Sequence, residues 1–187
     1  MKRFVLATAI LLLGTQTYAD VLSELTTRAR QVNSISGNFA QSRHIAVLRV
    51  PLQSSGNFQY LRAQGLRWHS IQPVESTLQI STDQGIRVLN AQGDSQTLAA
   101  PEILSQLFLG LFSGELSALQ DIFTITEQTV EHGWQLRLSP RSTALKQHLL
   151  YIDISGTELV ETVLIADANG DRNAISLLNQ VVEKSAE

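Results

Sequence analysis

Apolar residues recur at every second position through most of this chain, and the clearest run lies between Gly65 and Ile80 (GLRWHSIQPVESTLQI). Leu66 and Trp68 share one face of a strand and Arg67 and His69 the other, because successive strand side chains point to opposite sides. Pro73 has no N–H to give a ladder, so it marks a turn, a bulge or an edge. Beyond it Leu78 and Ile80 resume the apolar face, with Thr77 and Gln79 opposite. The same period runs through Leu52, Gly56, Phe58 and Tyr60, and Gly56 in mid-strand predicts a bulge or a strong bend. Residues 34–48 form a long strand with Ile35, Gly37, Phe39, Gln41 and Arg43 on one face, its second half alternating less cleanly. Further strands are predicted over 85–90, after a turn at Asp83-Gln84-Gly85, and over 123–130, 134–138, 149–155, 159–166 and 174–182. Asn169-Gly170 between the last two is a strong hairpin signal.

Three stretches break this rhythm. Val21, Leu25 and Val32 keep roughly helical spacing, which predicts a short amphipathic helix over 21–32. Pro101 followed by Glu102 is a helix start, and the next residues carry two apolar stripes, Ile103, Leu107, Leu111 and Leu104, Phe108, Phe112. A short helix apolar over most of its circumference must be covered on nearly all sides or must itself cover something. A second short helix over 113–122 and a helical turn over 143–148 complete the helical content. Consecutive strands with tight turns make an antiparallel meander rather than a parallel α/β sheet. The expected fold is mainly β: a strongly curved antiparallel sheet of about 11 strands, with short helices across the concave face.

The first residues add an address. Lys2 and Arg3, an apolar run from Phe4 to Leu13, and small residues ending in Ala19 read as a cleaved secretory signal peptide. Cleavage after Ala19 leaves one domain over residues 20–187, and removing two cations takes the formal net charge from -3 to -5. No later stretch approaches the roughly 20 apolar residues of a membrane span, so the expectation is a soluble exported protein. The absence of cysteine excludes a disulfide scaffold, a thiolate metal site, cysteine catalysis and lipid attachment at an N-terminal cysteine. Seven arginines face four acids over residues 20–90, and five bases face thirteen acids from Ala91 onward. This is not the overall basic domain of a nucleic-acid binder.

Chemistry is sparse. His44, His69, His132 and His148 stand singly, without metal-ligand spacing. Asp167, Asn169 and Asp171 mimic the start of a calcium loop, but Arg172 occupies the required glycine and Leu178 the closing glutamate, so a plain hairpin turn is expected. No nucleophile elbow, P-loop or dinucleotide fingerprint is present. No catalytic residue, cofactor or metal is expected, and the protein is not expected to be an enzyme.

Ser55-Gly56, Arg62, the LRW of Leu66 to Trp68, Gln72-Pro73 and Glu75-Ser76 together resemble the family of the periplasmic lipoprotein carrier LolA. Phe39 and Gln41 fit its first strand, and Asp167 to Gly170 with the strand ending near Asn179 gives a second match. The resemblance covers the mature chain, but only residues 55–80 are specific. It implies an incomplete antiparallel β-barrel with a helical lid over a hydrophobic cavity. It also implies carriage of lipid-modified proteins through the periplasm of a Gram-negative cell, from an inner-membrane ABC exporter to an outer-membrane acceptor; a monomer is expected. Cavity walls are then assigned to Phe58, Tyr60, Leu66, Trp68, Leu78, Ile80, Trp134 and Leu136. The lid is assigned to Ile103, Leu104, Leu107, Phe108, Leu111 and Phe112. Arg62 falls where the family's arginine tethers the lid; the family's following proline is Ala63 here, and an ordinary exposed arginine is the other reading. Two other functions remain: a related carrier of another lipid or lipid-linked product, and a periplasmic adaptor whose same residues form a solid core.

Overall fold

The computed structural model describes residues 21–81, 85–90, 95–97, 102–128 and 130–184; the proposed signal peptide, the turn at Asp83-Gln84 and Pro101 lie outside them. Helix α1 (Val21–Arg30) opens the described residues. Strands β1 (Val32–His44), β2 (Leu52–Leu61), β3 (Gly65–Gln72), β4 (Ser76–Ser81), β5 (Gly85–Asn90) and β6 (Ser95–Thr97) follow. Next come α2 (Glu102–Ser113) and a 3-10 helix, Leu116–Asp121. Strands β7 (Phe123–Gln128) and β8 (Trp134–Pro140), a single turn α3 (Thr143–Lys146), and strands β9 (Leu149–Gly156), β10 (Val160–Asp167) and β11 (Arg172–Lys184) complete the chain.

All eleven strands join one antiparallel sheet in the order β6-β5-β4-β3-β2-β1-β11-β10-β9-β8-β7. Sequence neighbours pair throughout, except where β1 meets β11 and so ties the two ends of the chain together. The order leaves β6 and β7 as opposite edges, so the curved sheet stays unclosed. Chain continuity then forces α2 and the 3-10 helix to run between those edges, where α2 meets β1, β3 and β4. Alternation decides which residues line the inside. Trp134, Leu136 and Leu138 of β8 are buried and their neighbours less so, as are Gly56, Phe58 and Tyr60 of β2.

Element boundaries shift by a few residues from the sequence reading. Strand β1 ends at His44 rather than Leu48, since a hydrogen-bonded turn starts where the Leu48 N–H donates to the Ile45 carbonyl (2.9 Å). The second predicted helix is a 3-10 segment, and β6 carried no apolar signal in its Ser-Gln-Thr sequence. The irregularity expected at Gly56 is present. Ser55 pairs with Gln72 and Gly56 with Ser70, leaving Ile71 as the extra residue. A side chain at Gly56 would drive its Cβ to 1.9 Å from the His69 carbonyl oxygen, so only glycine allows this approach. Pro73 sits in the β3–β4 turn with a cis Gln72–Pro73 bond.

Candidate functional site

The inside of the sheet is divided by an aromatic stack. Strands β1, β2 and β3 set Phe39, Phe58 and Trp68 side by side, because their register places Phe39 opposite Gly56 and Phe58 opposite Trp68. The glycine leaves space that Phe39 uses to stack on Trp68, with ring centroids 4.0 Å apart. From the helical side, α2 lowers two rings onto this layer. Phe108 meets Trp68 at 5.8 Å, and Phe112 meets Phe58 at 5.5 Å and Tyr60 at 5.7 Å. Rings in such offset or tilted contact gain about 0.5–1.5 kcal/mol per pair beyond their area burial. Leu107, one turn before Leu111 on the same helix, is fully buried.

A cavity lies on each side of this plug. Toward β7–β9 and under α1 is a narrow apolar one of about 70 Å³, lined by Leu25, Leu111, Ile125, Trp134, Leu136, Leu159 and others. Gln180 borders it and holds the Val160 carbonyl with its amide nitrogen (2.8 Å). Its own side-chain oxygen is buried without a partner among the described residues. Toward the ends of β1, β3 and β4 is a wider groove of about 320 Å³, with Leu66, Trp68, Leu78, Val88, Phe108, Ile165 and Ile175 as its apolar wall. Gln41, Ser70, Ser76 and Asn173 give this groove a polar rim. The Gln41 amide donates to Asn173 (2.8 Å) and accepts from Ser54 (3.0 Å), which fixes the rim across three strands.

Helix α1 closes the smaller cavity, and Arg62 holds α1. The guanidinium donates to the carbonyl of Ala29 (2.7 Å) in the last helical turn, and to that of Val32 (2.7 and 2.9 Å) where β1 begins. A cation at a helix C-terminus answers both its unpaired carbonyls and its dipole. Helix α1 in turn seats the end of α2. Gly114, at φ +79, ends α2 with its N–H on the Gly110 carbonyl (3.0 Å). A Cβ there would stand 2.8 Å from both the Ala29 Cβ and the Thr26 carbonyl oxygen. The positive φ and the close approach both demand glycine. Beside this joint, burial pushes the Tyr60 phenol above its usual range; Arg62 opposes the shift and Glu115 adds to it.

Of the residues assigned to cavity walls, Phe58, Tyr60, Leu66, Trp68 and Ile80 are buried on the plugged side, with Leu78 half-buried. Trp134 and Leu136 border the smaller cavity. Among the described residues Phe108 and Phe112 pack against the first group, on Trp68, Phe58 and Tyr60. Among the lid residues, Leu107, Leu111 and Phe112 are buried and Phe108 is half-buried, while the side chains of Ile103 and Leu104 lie outside the described residues. Among the described residues the Arg62 guanidinium bonds α1 and β1, and α1 in turn lies against Gly114 at the end of α2. Sequence reasoning also missed α1 as part of the cover, although Leu22, Leu25 and Ala29 keep the three-to-four spacing of an inward stripe. Phe39 was placed on the right face, but its partner Trp68 lies 29 positions on, beyond reach of any local pattern.

The profile of a family described as outer membrane lipoprotein carrier protein LolA matches residues 30–186. No curated protein sequence matches the chain. Among solved structures, a chain of the MucA/MucB complex of Pseudomonas aeruginosa is similar at a TM-score of 0.52 and 15% identity, covering 90% of this chain and 58% of that one. The present chain thus spans less than two thirds of the length of that relative. A LolA superfamily protein from Nitrosomonas europaea is 7% identical, covering 88% of this chain and 94% of that one at a TM-score of 0.49. A putative outer membrane lipoprotein-sorting protein domain from Vibrio parahaemolyticus is 8% identical, covering 89% and 93% at 0.44.

Proposed function

The chain belongs to the LolA family of outer membrane lipoprotein carriers, and from that premise we propose that it is a periplasmic carrier of acyl chains. The chains would lie where Phe108 and Phe112 now rest, joining the groove beside Trp68 to the cavity beside Trp134. The observation that carries this reading is that Phe108 and Phe112, which lie over the sheet's own rings, belong to a helix and not to the sheet. No strand need move for α2 to withdraw, and the two cavities then merge.

The energetics suit a carrier rather than a trap. An acyl chain gains about 0.8 kcal/mol per buried CH₂. It must first displace two phenylalanine rings and the α1–Gly114 joint, whose re-closure helps expel it. Arg62 contributes by holding α1 down, and the unpaired Gln180 oxygen offers an acceptor to a donor-bearing group on the cargo. Lipoprotein is the favoured cargo; its source would be an inner-membrane ABC exporter and its destination an outer-membrane acceptor. Depleting the protein should leave outer-membrane lipoproteins at the inner membrane, and correct placement after depletion would remove this reading. Mass spectrometry of organic extracts of the purified protein separates lipoprotein from another lipid.

The tight contact of the Phe108 and Phe112 rings with the sheet favours one alternative, a periplasmic adaptor whose core never opens. Replacing Phe108 by Asp distinguishes the two. In a permanent core it unfolds the protein, since a charge would be buried unpaired. On a movable helix it leaves a folded protein with altered lipid binding.

A further inference from the structure

The strand register collects several connections at one end of the sheet. His44 pairs with Arg172 and Arg43 with Leu52, so the β1–β2 loop (residues 45–51) and the β10–β11 turn emerge together. Gln72 pairs with Ser55, which brings the β3–β4 turn to the same end. This is also the end at which the polar rim of the groove opens. The β1–β2 loop is unusual for what it leaves in water. Val47 is 88% exposed and Val50 72%, with Leu48 and Leu52 exposed beside them. Val74 of the β3–β4 turn is 71% exposed. Scattered single aliphatics would mean nothing, but five at one end form a patch.

The loop is held in that pose. The buried carboxylate of Asp171 accepts the Ala46 N–H (2.9 Å), and Asn169 in turn accepts the Asp171 N–H (3.0 Å). The hairpin that mimics a calcium loop thus serves as the loop's anchor. Its charge singles out a partner. Residues 43–52 contain Arg43 and Arg49 and no acid, and Arg172 adjoins them; of the acids at this end Glu75 lies against His69 (3.2 Å) and Asp171 holds the Ala46 N–H, in a protein whose net charge is -3. Asp167 stands near Arg43, and burial together with Asp171 raises its pKa.

We infer that this end of the molecule is a docking surface for an anionic lipid bilayer, with Val47 and Val50 entering the interface and Arg43 and Arg49 meeting lipid phosphates. Aliphatic tips flanked by arginine match the headgroup boundary, where shallow apolar insertion and attraction to anionic lipid add. A protein partner would need a complementary acidic surface and shape, whereas a bilayer needs only charge and hydrocarbon. Docking this way turns the open groove toward the membrane.

The test is co-flotation of the full chain with vesicles of phosphatidylcholine alone or mixed with phosphatidylglycerol. Binding is expected with the anionic mixture, weak with phosphatidylcholine, and reduced by salt as the Debye length shrinks. Arg49→Glu should lower partitioning about tenfold or more, as roughly fivefold is lost per cation removed and a like charge is added. Val47→Asp with Val50→Asp should abolish it. Val181→Asp, at a residue 62% exposed on β11 toward the other end of the sheet, should bind as the parent does. All variants should keep the parent's thermal midpoint and its affinity for a soluble acyl probe, which separates this result from the fate of the carrier reading. Failure of the parent to float with anionic vesicles overturns the inference, and so does equal floating of the loop variants. Loss in the loop variants of binding to an identified protein, with vesicle binding unchanged, would also overturn it.

Discussion

The two sides of the interior are built differently. Against β1–β3 the space beneath α2 is filled by rings, Phe39, Phe58, Tyr60 and Trp68 from the sheet and Phe108 and Phe112 from α2, with the wider groove left beyond Phe108. Against β7–β9 the cover is α1, a helix with no fully buried residue, and a cavity remains beneath it. The filled side holds α2 by shape and the other side holds α1 by a few hydrogen bonds from Arg62. On the carrier reading proposed above, the first face would supply a preferred closed position and the other a joint that yields first.

Deletions should expose this difference most strongly. Phe39→Ala removes a ring that is 2% exposed and should cost about 3–5 kcal/mol. Leu159→Ala, beside the existing cavity, should cost well under half of that, as read by denaturant unfolding. Similar losses at the two positions would erase the distinction. Additions should show the reverse. Ile80→Phe, at a site 1% exposed, should cost about 1–3 kcal/mol by overpacking, whereas Leu25→Phe can use the cavity and should be neutral or stabilising while weakening acyl-probe binding.

The joint comes next. Arg62→Ala removes three hydrogen bonds to α1 and β1 and should cost about 1 kcal/mol while speeding association of an acyl probe. Gly114→Ala, forced into both a left-handed backbone and the α1 contact, should loosen the same joint by a different route. Unchanged association rates in both variants would remove α1 from the opening step.

The smallest expected effect concerns Asp167. Burial and the neighbouring Asp171 raise its pKa, against the pull of Arg43. A carboxyl with a raised folded-state pKa favours the folded state below its unfolded value and loses that advantage as pH rises through the folded one. Asp167→Asn should therefore slightly raise the melting temperature at neutral pH, with the gain vanishing as pH falls through the ordinary carboxylate range.

Much of this was legible in the chain. Period-two burial located the strands because each has one wet and one dry face, and the apolar helix announced a covering role because it has no polar side to spare. What escaped was non-local. The meeting of Phe108 with Trp68 and of Phe112 with Tyr60 depends on where α2 lands, and Arg62 reaching Ala29 depends on a strand returning beside α1. Strand β6 escaped because it is three polar residues on an edge, where main-chain pairing suffices. Even the role of Gly114 required knowing which helix lay against it.

The carrier reading requires the acyl chain to lie against Trp68, in the wall of the groove. Its most direct test uses the Trp134→Phe variant, in which Trp68 is the sole indole, titrated with an acyl chain brominated near its middle. Saturable quenching of Trp68 fluorescence by the brominated chain, and none by its unbrominated counterpart, is the expected result. Binding of the chain with Trp68 left unquenched would mean that the aromatic stack never opens to lipid.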